Sequence, residues 1–235
     1  MTNFFKKVSA WGLIAIMAVG TLTATVFAKN FHENSRAFNS VYIRNKNNKE
    51  IKFNVAVGVS CTEDQLVDIA NGNLDGDNFE IYDVVYAQPD IPMTPKFDPI
   101  VKTIYTTTKT PTATKALAGD YFVISAAKGQ VTTITNGWSK SLSASVTGSY
   151  KDYGNLGLNA TITKSYTKTD QFSGPPESSG YNSRVYQVKF YYNAGNWTQY
   201  YDKYDAFGNL IIAGFVKGTY TEPHSFLAYS YDVAA

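Results

Sequence analysis

The stretch WSKSLSASVTGSY at 138–150, followed across KDYGN (151–155) by LGLNATITKSYTKT at 156–169, decides the fold. Serine and threonine hold the odd positions Ser139, Ser141, Ser143, Ser145, Thr147 and Ser149, and Leu142, Ala144 and Val146 fall between them. The second segment repeats the alternation, with Leu156, Leu158, Ala160 and Ile162 on one face and Asn159, Thr161, Thr163 and Ser165 on the other. A period of two is that of a β-strand. The pattern predicts a long antiparallel hairpin turning at 151–155, with Val146 opposite Ala160, Ala144 opposite Ile162 and Leu142 opposite Lys164.

Strand signals continue on both sides. The alternating segments 40–44 and 49–57 around Asn45-Lys46-Asn47-Asn48 read as a hairpin. Thr62 followed by Gln65 is a capping-box pair before Leu66, Val67 and Ile69, predicting one short helix that ends at Asn71-Gly72. Pro89, Pro92, Pro95 and Pro99 predict an extended connection, and Thr103–Thr114 is strand-prone on either side of Pro111. The apolar run 121–124 predicts a buried strand. Further strands are expected at 184–192, 197–204, 210–214 and 226–231, with turns at 193–196, 207–209 and Glu222-Pro223. The fold class expected is all-β: an elongated, antiparallel, sandwich-like body with one long amphipathic hairpin and one short helix.

At the other end, Lys6-Lys7 precedes an apolar stretch without acids that closes on Thr25-Val26-Phe27-Ala28. This is the layout of an export signal cleaved after Ala28; an uncleaved anchoring helix is the rival reading. The organisation expected is a signal peptide at 1–28, a hairpin, helix and Pro-rich connection at 29–99, and a β-rich domain at 100–235, in a secreted, extracellular protein. The chain carries 21 Lys+Arg and 19 Asp+Glu, and loss of Lys6 and Lys7 leaves the two signs balanced, so nucleic acid is not an expected partner. The single Cys61 excludes an internal disulfide and is read as a small core residue.

Catalytic signals are thin, and the chain is not read as an enzyme. His32 and His224 have no metal-ligand spacing, and Glu80 with Asp83 is the one carboxylate pair that suggests acid/base work. Asn71, Asn73, Asp75 and Asp77 alternate like the front of a calcium loop, but Tyr82 stands where the bidentate Glu belongs, so no metal or cofactor is expected. Trp197, Tyr200, Tyr201 and Tyr204 are candidates for stacking on a cell-surface glycan.

The hairpin, with its Ser/Thr face and apolar face inside an exported all-β chain, resembles the insertion region of aerolysin-like and epsilon-toxin-like β-pore-forming proteins. The resemblance covers about 131–192. It implies a homo-oligomer in a lipid membrane, with Leu142, Ala144, Val146, Leu158, Ala160 and Ile162 facing lipid and Ser141, Ser143, Ser145, Thr161 and Thr163 lining water. Two other readings stand beside it: an ordinary sheet with one solvated face, and a carbohydrate- or envelope-binding β-module without catalytic activity.

Overall fold

The computed structural model describes residues 37–73, 75–89, 102–148 and 156–234. The signal segment 1–28, His32, Pro92, Pro95, Pro99 and the turn 151–155 lie outside the described residues. Of those described, 66% are strand and 6% helix, which places the chain in the all-β class.

The strands are β1 (Phe38–Arg44), β2 (Glu50–Ala56), β3 (Gly76–Tyr86), β4 (Lys102–Ala127), β5 (Val131–Thr133), β6 (Trp138–Leu142), β7 (Ser145–Val146), β8 (Ile162–Tyr166), β9 (Gln171–Ser173), β10 (Ser183–Tyr204) and β11 (Leu210–Val233). One sheet runs in the order β1-β2-β3-β11-β10-β4, with β7 added to β11, and it takes strands from both sides of residue 100. β5 pairs with β9 and β6 with β8 as separate two-stranded sheets.

The main sheet is mixed, because β2 and β3 are parallel. A parallel pair needs a crossover, and the helix α1 (Glu63–Gly72) supplies it. The capping box forms as read: the Thr62 hydroxyl accepts from the Gln65 backbone N–H, and the Gln65 side chain accepts from the Thr62 N–H at 2.9 Å. Leu66 and Ile69 are buried, while Val67 is only partly so.

Each face of the sheet carries its own core. On one, α1 brings Leu66, Ile69 and Ala70 onto Phe53, Phe79, Ile81, Leu227 and Tyr229, with Cys61 half-buried at the margin. On the other, Ile162, Tyr166 and Phe172 of β8 and β9 cover Tyr186, Val188, Phe190, Phe226 and Ala228. β10 and β11 are therefore buried on both faces in this half of the molecule.

Two buried cations tie neighbouring elements together. Arg184 binds Asp232 through Nε (2.7 Å) and a second nitrogen (3.2 Å), and reaches Glu80 at 3.1 Å. Burial opposes its charge, but the hydrogen bonds of Asp232 and the charges of Tyr82, Glu80 and Asp232 outweigh that and raise its pKa. Lys189, 2% exposed, lies between Asp68 of α1 (3.0 Å) and Asp120 of β4 (3.2 Å).

Several expectations need correction. β10 continues through 193–196, and β11 through Glu222-Pro223, without turning. Register shifts at Tyr191/Tyr192 and around Ala194 absorb the Gly and Pro signals as bulges. β4 also passes Pro111 unbroken, because it is an edge strand and needs no ladder N–H there. For the same reason 121–124 is not a buried run: Phe122 is exposed.

Arg184→Met should cost about 3–5 kcal/mol, because it strands two carboxylates in a site that excludes water. Urea denaturation of the variant checks this, and a loss below about 1 kcal/mol would show that the pair is solvated.

Candidate functional site

Beyond Tyr192 and Ser225 the sheet narrows to a three-stranded limb of β4, β10 and β11. β3 ends its pairing with β11 at Tyr86↔Ser225, leaving the outer edge of β11 to another partner. β7 takes part of it, pairing Val146 with Tyr220 and Ser145 with Thr221. Open backbone edges favour such pairing.

The predicted hairpin is thus two things. Its base is the pair β6–β8, in which Leu142 faces Ile162, Lys140 faces Lys164 and Trp138 faces Tyr166. This register is displaced by two residues from the expected one, which set Leu142 against Lys164. A shift of two keeps every side chain on its face, so alternation does not distinguish the two pairings. Above Leu142 the segments part. Val146 is not opposite Ala160: residues 145–148 follow β11, and 156–160 lie over the limb, where Ala160 N–H donates to Gln88 O at 2.8 Å and Asn159 bridges Pro89.

We call the described segments 143–148 and 156–161 the strap. At Thr147 and Gly148 it crosses Gly218, where an added Cβ would lie 1.9 Å from Thr147 O and 2.8 Å from the Trp197 ring. Trp197, fully buried, donates from Nε1 to Thr147 O at 3.1 Å. Leu156, Trp197 and Tyr220 then form a third small core, with Leu158 and Val216 at its edge.

Hydroxyls line the opposite side of the strap. Ser141 and Thr163 are 2.9 Å apart, Thr161 donates to Ser143 at 3.0 Å, Ser145 and Thr221 are 2.7 Å apart, and Thr147 and Thr219 are 2.6 Å apart. The insertion candidates face the protein to different depths. Ile162 is buried, Leu142, Ala144, Leu158 and Ala160 are half-buried, and Val146 is 39% exposed.

One carboxylate ties the strap down. Glu222, on the limb face that carries Tyr220, accepts from Asn159 N–H at 3.0 Å and lies 3.5 Å from Lys109 Nζ. That ammonium also donates to Gly157 O at 3.1 Å, and the Asn159 side chain donates to Pro223 O at 2.8 Å. At the base, Lys164 reaches Asp83 at 2.8 Å.

The aromatic candidates do not make one surface. Trp197 is enclosed under the strap, and Tyr201 folds over Gly214, where a Cβ would meet its hydroxyl at 2.5 Å. Tyr200 emerges on the opposite face beside Phe215, ring centroids 6.0 Å apart, over a groove of about 540 Å³ that also takes in Thr106, Asp202 and Ala213. Tyr204 closes β10 beside the turn.

The acid/base candidates are also separate. Glu80 accepts from Tyr82 and Arg184, and Asp83 holds Lys164. His224 Nδ1 contacts buried Ser225 Oγ at 3.0 Å, with burial and then Lys115 pushing its pKa down. Asn71 accepts from Lys46 N–H, Asn73 donates to Ile69 O, and Asp77 accepts from Tyr181, so the calcium-like oxygens serve different partners. Among the described residues no cluster of three or more His, Cys, Asp or Glu side chains could hold a metal.

Lys109, Gly218, Tyr220 and Glu222 were missed from sequence. Glycine within a strand pattern is the one signal that pointed to Gly218, since it marks close backbone approach. Comparison with family models, curated proteins and solved structures found no significant match to this chain.

Gly218→Ala should lift the strap while leaving the helix-side core folded. With Trp11 and Trp138 replaced by Phe, acrylamide quenching of Trp197 should rise several-fold over the Gly218 protein at unchanged circular dichroism. Equal quenching would show that the strap does not depend on this crossing.

Proposed function

We propose that this chain is a secreted, non-enzymatic, membrane-active β-protein, in which the strap leaves the limb, zips onto its base and inserts together with copies from other subunits. The observation that carries the reading is the register of the base. Continued upward from Leu142↔Ile162, it pairs Ala144 with Ala160 and Val146 with Leu158, matching all six apolar candidates in cross-strand pairs. It also sets the hydroxyl residues together on the other face.

No charged residue lies between Lys140 and Lys151, or between Asp152 and Lys164. Each segment therefore holds the ~9–11 residues that a barrel strand needs to cross the hydrocarbon layer. Lys140 and Lys164, opposite each other, would mark the interface.

Energetics support a detachable strap. Full burial of a leucine contributes about 1.5–3 kcal/mol, so the apolar part of its anchor, Leu156 and half-buried Leu158, contributes only a few kcal/mol beside the hydrogen bonds. A lipid environment offers the same apolar contacts.

The end of the limb adds a surface suited to lipid. Asp205 accepts from Phe207 N–H (2.9 Å), Asn209 N–H (2.8 Å) and the Asn209 side chain (3.0 Å). That fixed turn presents Phe207 at 91% exposure, with Leu210, Ile211, Ile212 and Phe215 also exposed. Apolar patches on a soluble surface mark interaction sites.

The exposed Tyr200–Phe215 pair over its groove favours a second reading, a glycan-binding module.

Dye release from glycan-free lipid vesicles separates the two. Wild-type protein should release dye. Val146→Arg should fold normally, because Val146 is partly exposed, yet lose release through an insertion cost of about 2–4 kcal/mol per subunit. Ser143→Ala should remain active. Absence of release by wild-type protein would overturn the membrane reading.

A further inference from the structure

We propose that the end of the limb, residues 203–212 around Phe207, is an anchor that docks the protein on a lipid surface at headgroup depth, independently of insertion by the strap. The inference rests on the membrane reading for its purpose, but attachment to lipid and passage through it are measured apart.

Phe207 is almost fully exposed, and Leu210, Ile211, Ile212 and Phe215 are each about half exposed. The register spreads them over both faces of the limb. Ile212 stands opposite Lys203 on the face of Val216 and Tyr220, and Phe215 stands opposite Tyr200 on the other. Ile211 is the residue skipped where the pairing shifts from Lys203↔Ile212 to Tyr204↔Leu210. A partner protein covers one face, and a specific interface takes about 20–30 residues a side. Five apolar side chains divided between two faces and a tip do not make such an interface. They suit a medium that surrounds the end of a hairpin, as the outer layer of a bilayer does.

The backbone at the tip fits that medium, in which an unpaired polar group is costly. Gly208 N–H donates to Asp205 O at 3.1 Å, and Asp205 N–H to Asn209 O at 2.9 Å. The Asp205 carboxylate accepts from Phe207 N–H at 2.9 Å and Asn209 N–H at 2.8 Å. The Asn209 side chain, and then these backbone groups, hold that carboxyl below its ordinary range. It therefore stays ionised and does not follow Phe207 into hydrocarbon, which limits the anchor to headgroup depth.

Next along β10 come Tyr204, Tyr201 and Tyr200, a residue type that sits between lipid and water with its ring in one and its hydroxyl in the other. Cations flank the end on both faces: Lys203 beside Ile212 on one, Lys102 and Lys217 on the other. Lys217 Nζ lies 5.9 Å from the centre of the Phe215 ring. These cations outnumber Asp202 and Asp205, which favours a surface containing anionic headgroups. The strap runs toward the same end, since Val146 pairs with Tyr220, Thr147 N–H bonds Thr219 O, and the crossing at Gly218 follows.

Co-sedimentation with glycan-free vesicles of phosphatidylcholine and phosphatidylglycerol tests the anchor, using the secreted form, which lacks the apolar signal segment. Wild-type protein should sediment with the vesicles. Phe207→Ser, at an exposed position, should keep its circular dichroism and lose partitioning by about tenfold or more, the factor that a phenylalanine taken out of water supplies. Phe207→Trp should bind at least as well as the wild type, and Val146→Arg should bind like the wild type while releasing no dye.

Wild-type protein that stays in the supernatant would overturn the anchor, as would Phe207→Ser that sediments as fully as the wild type. So would a mass above the monomer by light scattering without vesicles that falls to the monomer in Phe207→Ser, since the tip would then join copies of the chain. The two readings fail separately. Binding through Phe207 without dye release upholds the anchor and removes insertion, whereas release with binding undiminished in Phe207→Ser removes the anchor and leaves insertion.

Discussion

Everything in this molecule hangs on the β10–β11 pair, two neighbouring strands of 22 and 24 residues that run antiparallel through both halves of the sheet. Strands this long leave a correspondingly long row of backbone groups on each outer side. β4 follows β10 along almost its whole length. Among the described residues β11 has no such companion: β3 serves it only from Ser225 onward, and β7 adds two residues at Tyr220 and Thr221. The strap is the chain's partial answer to that shortage.

This shortage divides the structure energetically. Near α1, both faces of β10 and β11 are buried, and the buried Arg184 and Lys189 cations bind four elements with charge-assisted contacts. Along the limb, among the described residues, one face carries only the three-residue core of Leu156, Trp197 and Tyr220, and on the other Tyr200 and Phe215 are exposed. Local opening follows the density of buried contacts, so the strap belongs to the low-stability end of the molecule and the helix-side core to the high end.

Much of this was legible in the residues, and the failures have physical causes. Thr62 and Gln65 announced their helix because a capping box is local chemistry four residues wide. The alternation at 138–169 correctly assigned faces, as the buried Ile162 and the paired hydroxyls of Ser141 and Thr163 show. It could not assign register, because pairings two residues apart are equivalent to a period-two pattern. Nor could it foresee that residues 145–146 would pair with β11, some 75 positions later, in preference to their own hairpin partner. Gly195 and Pro223 were read as turn residues, whereas a long ladder took them in as bulges. The Glu222–Lys109 contact joins residues 113 apart and left no trace in local pattern.

The central claim is that the strap must leave β11 for the protein to act, and a reversible covalent lock tests it most directly. Ser145→Cys with Thr221→Cys, register partners whose hydroxyls lie 2.7 Å apart, can be bridged in a Cys61→Ser background. Vesicle dye release is then followed before and after reduction. The account predicts folded, silent protein when oxidised and full release on adding reductant. Equal release from the locked and reduced forms would contradict it.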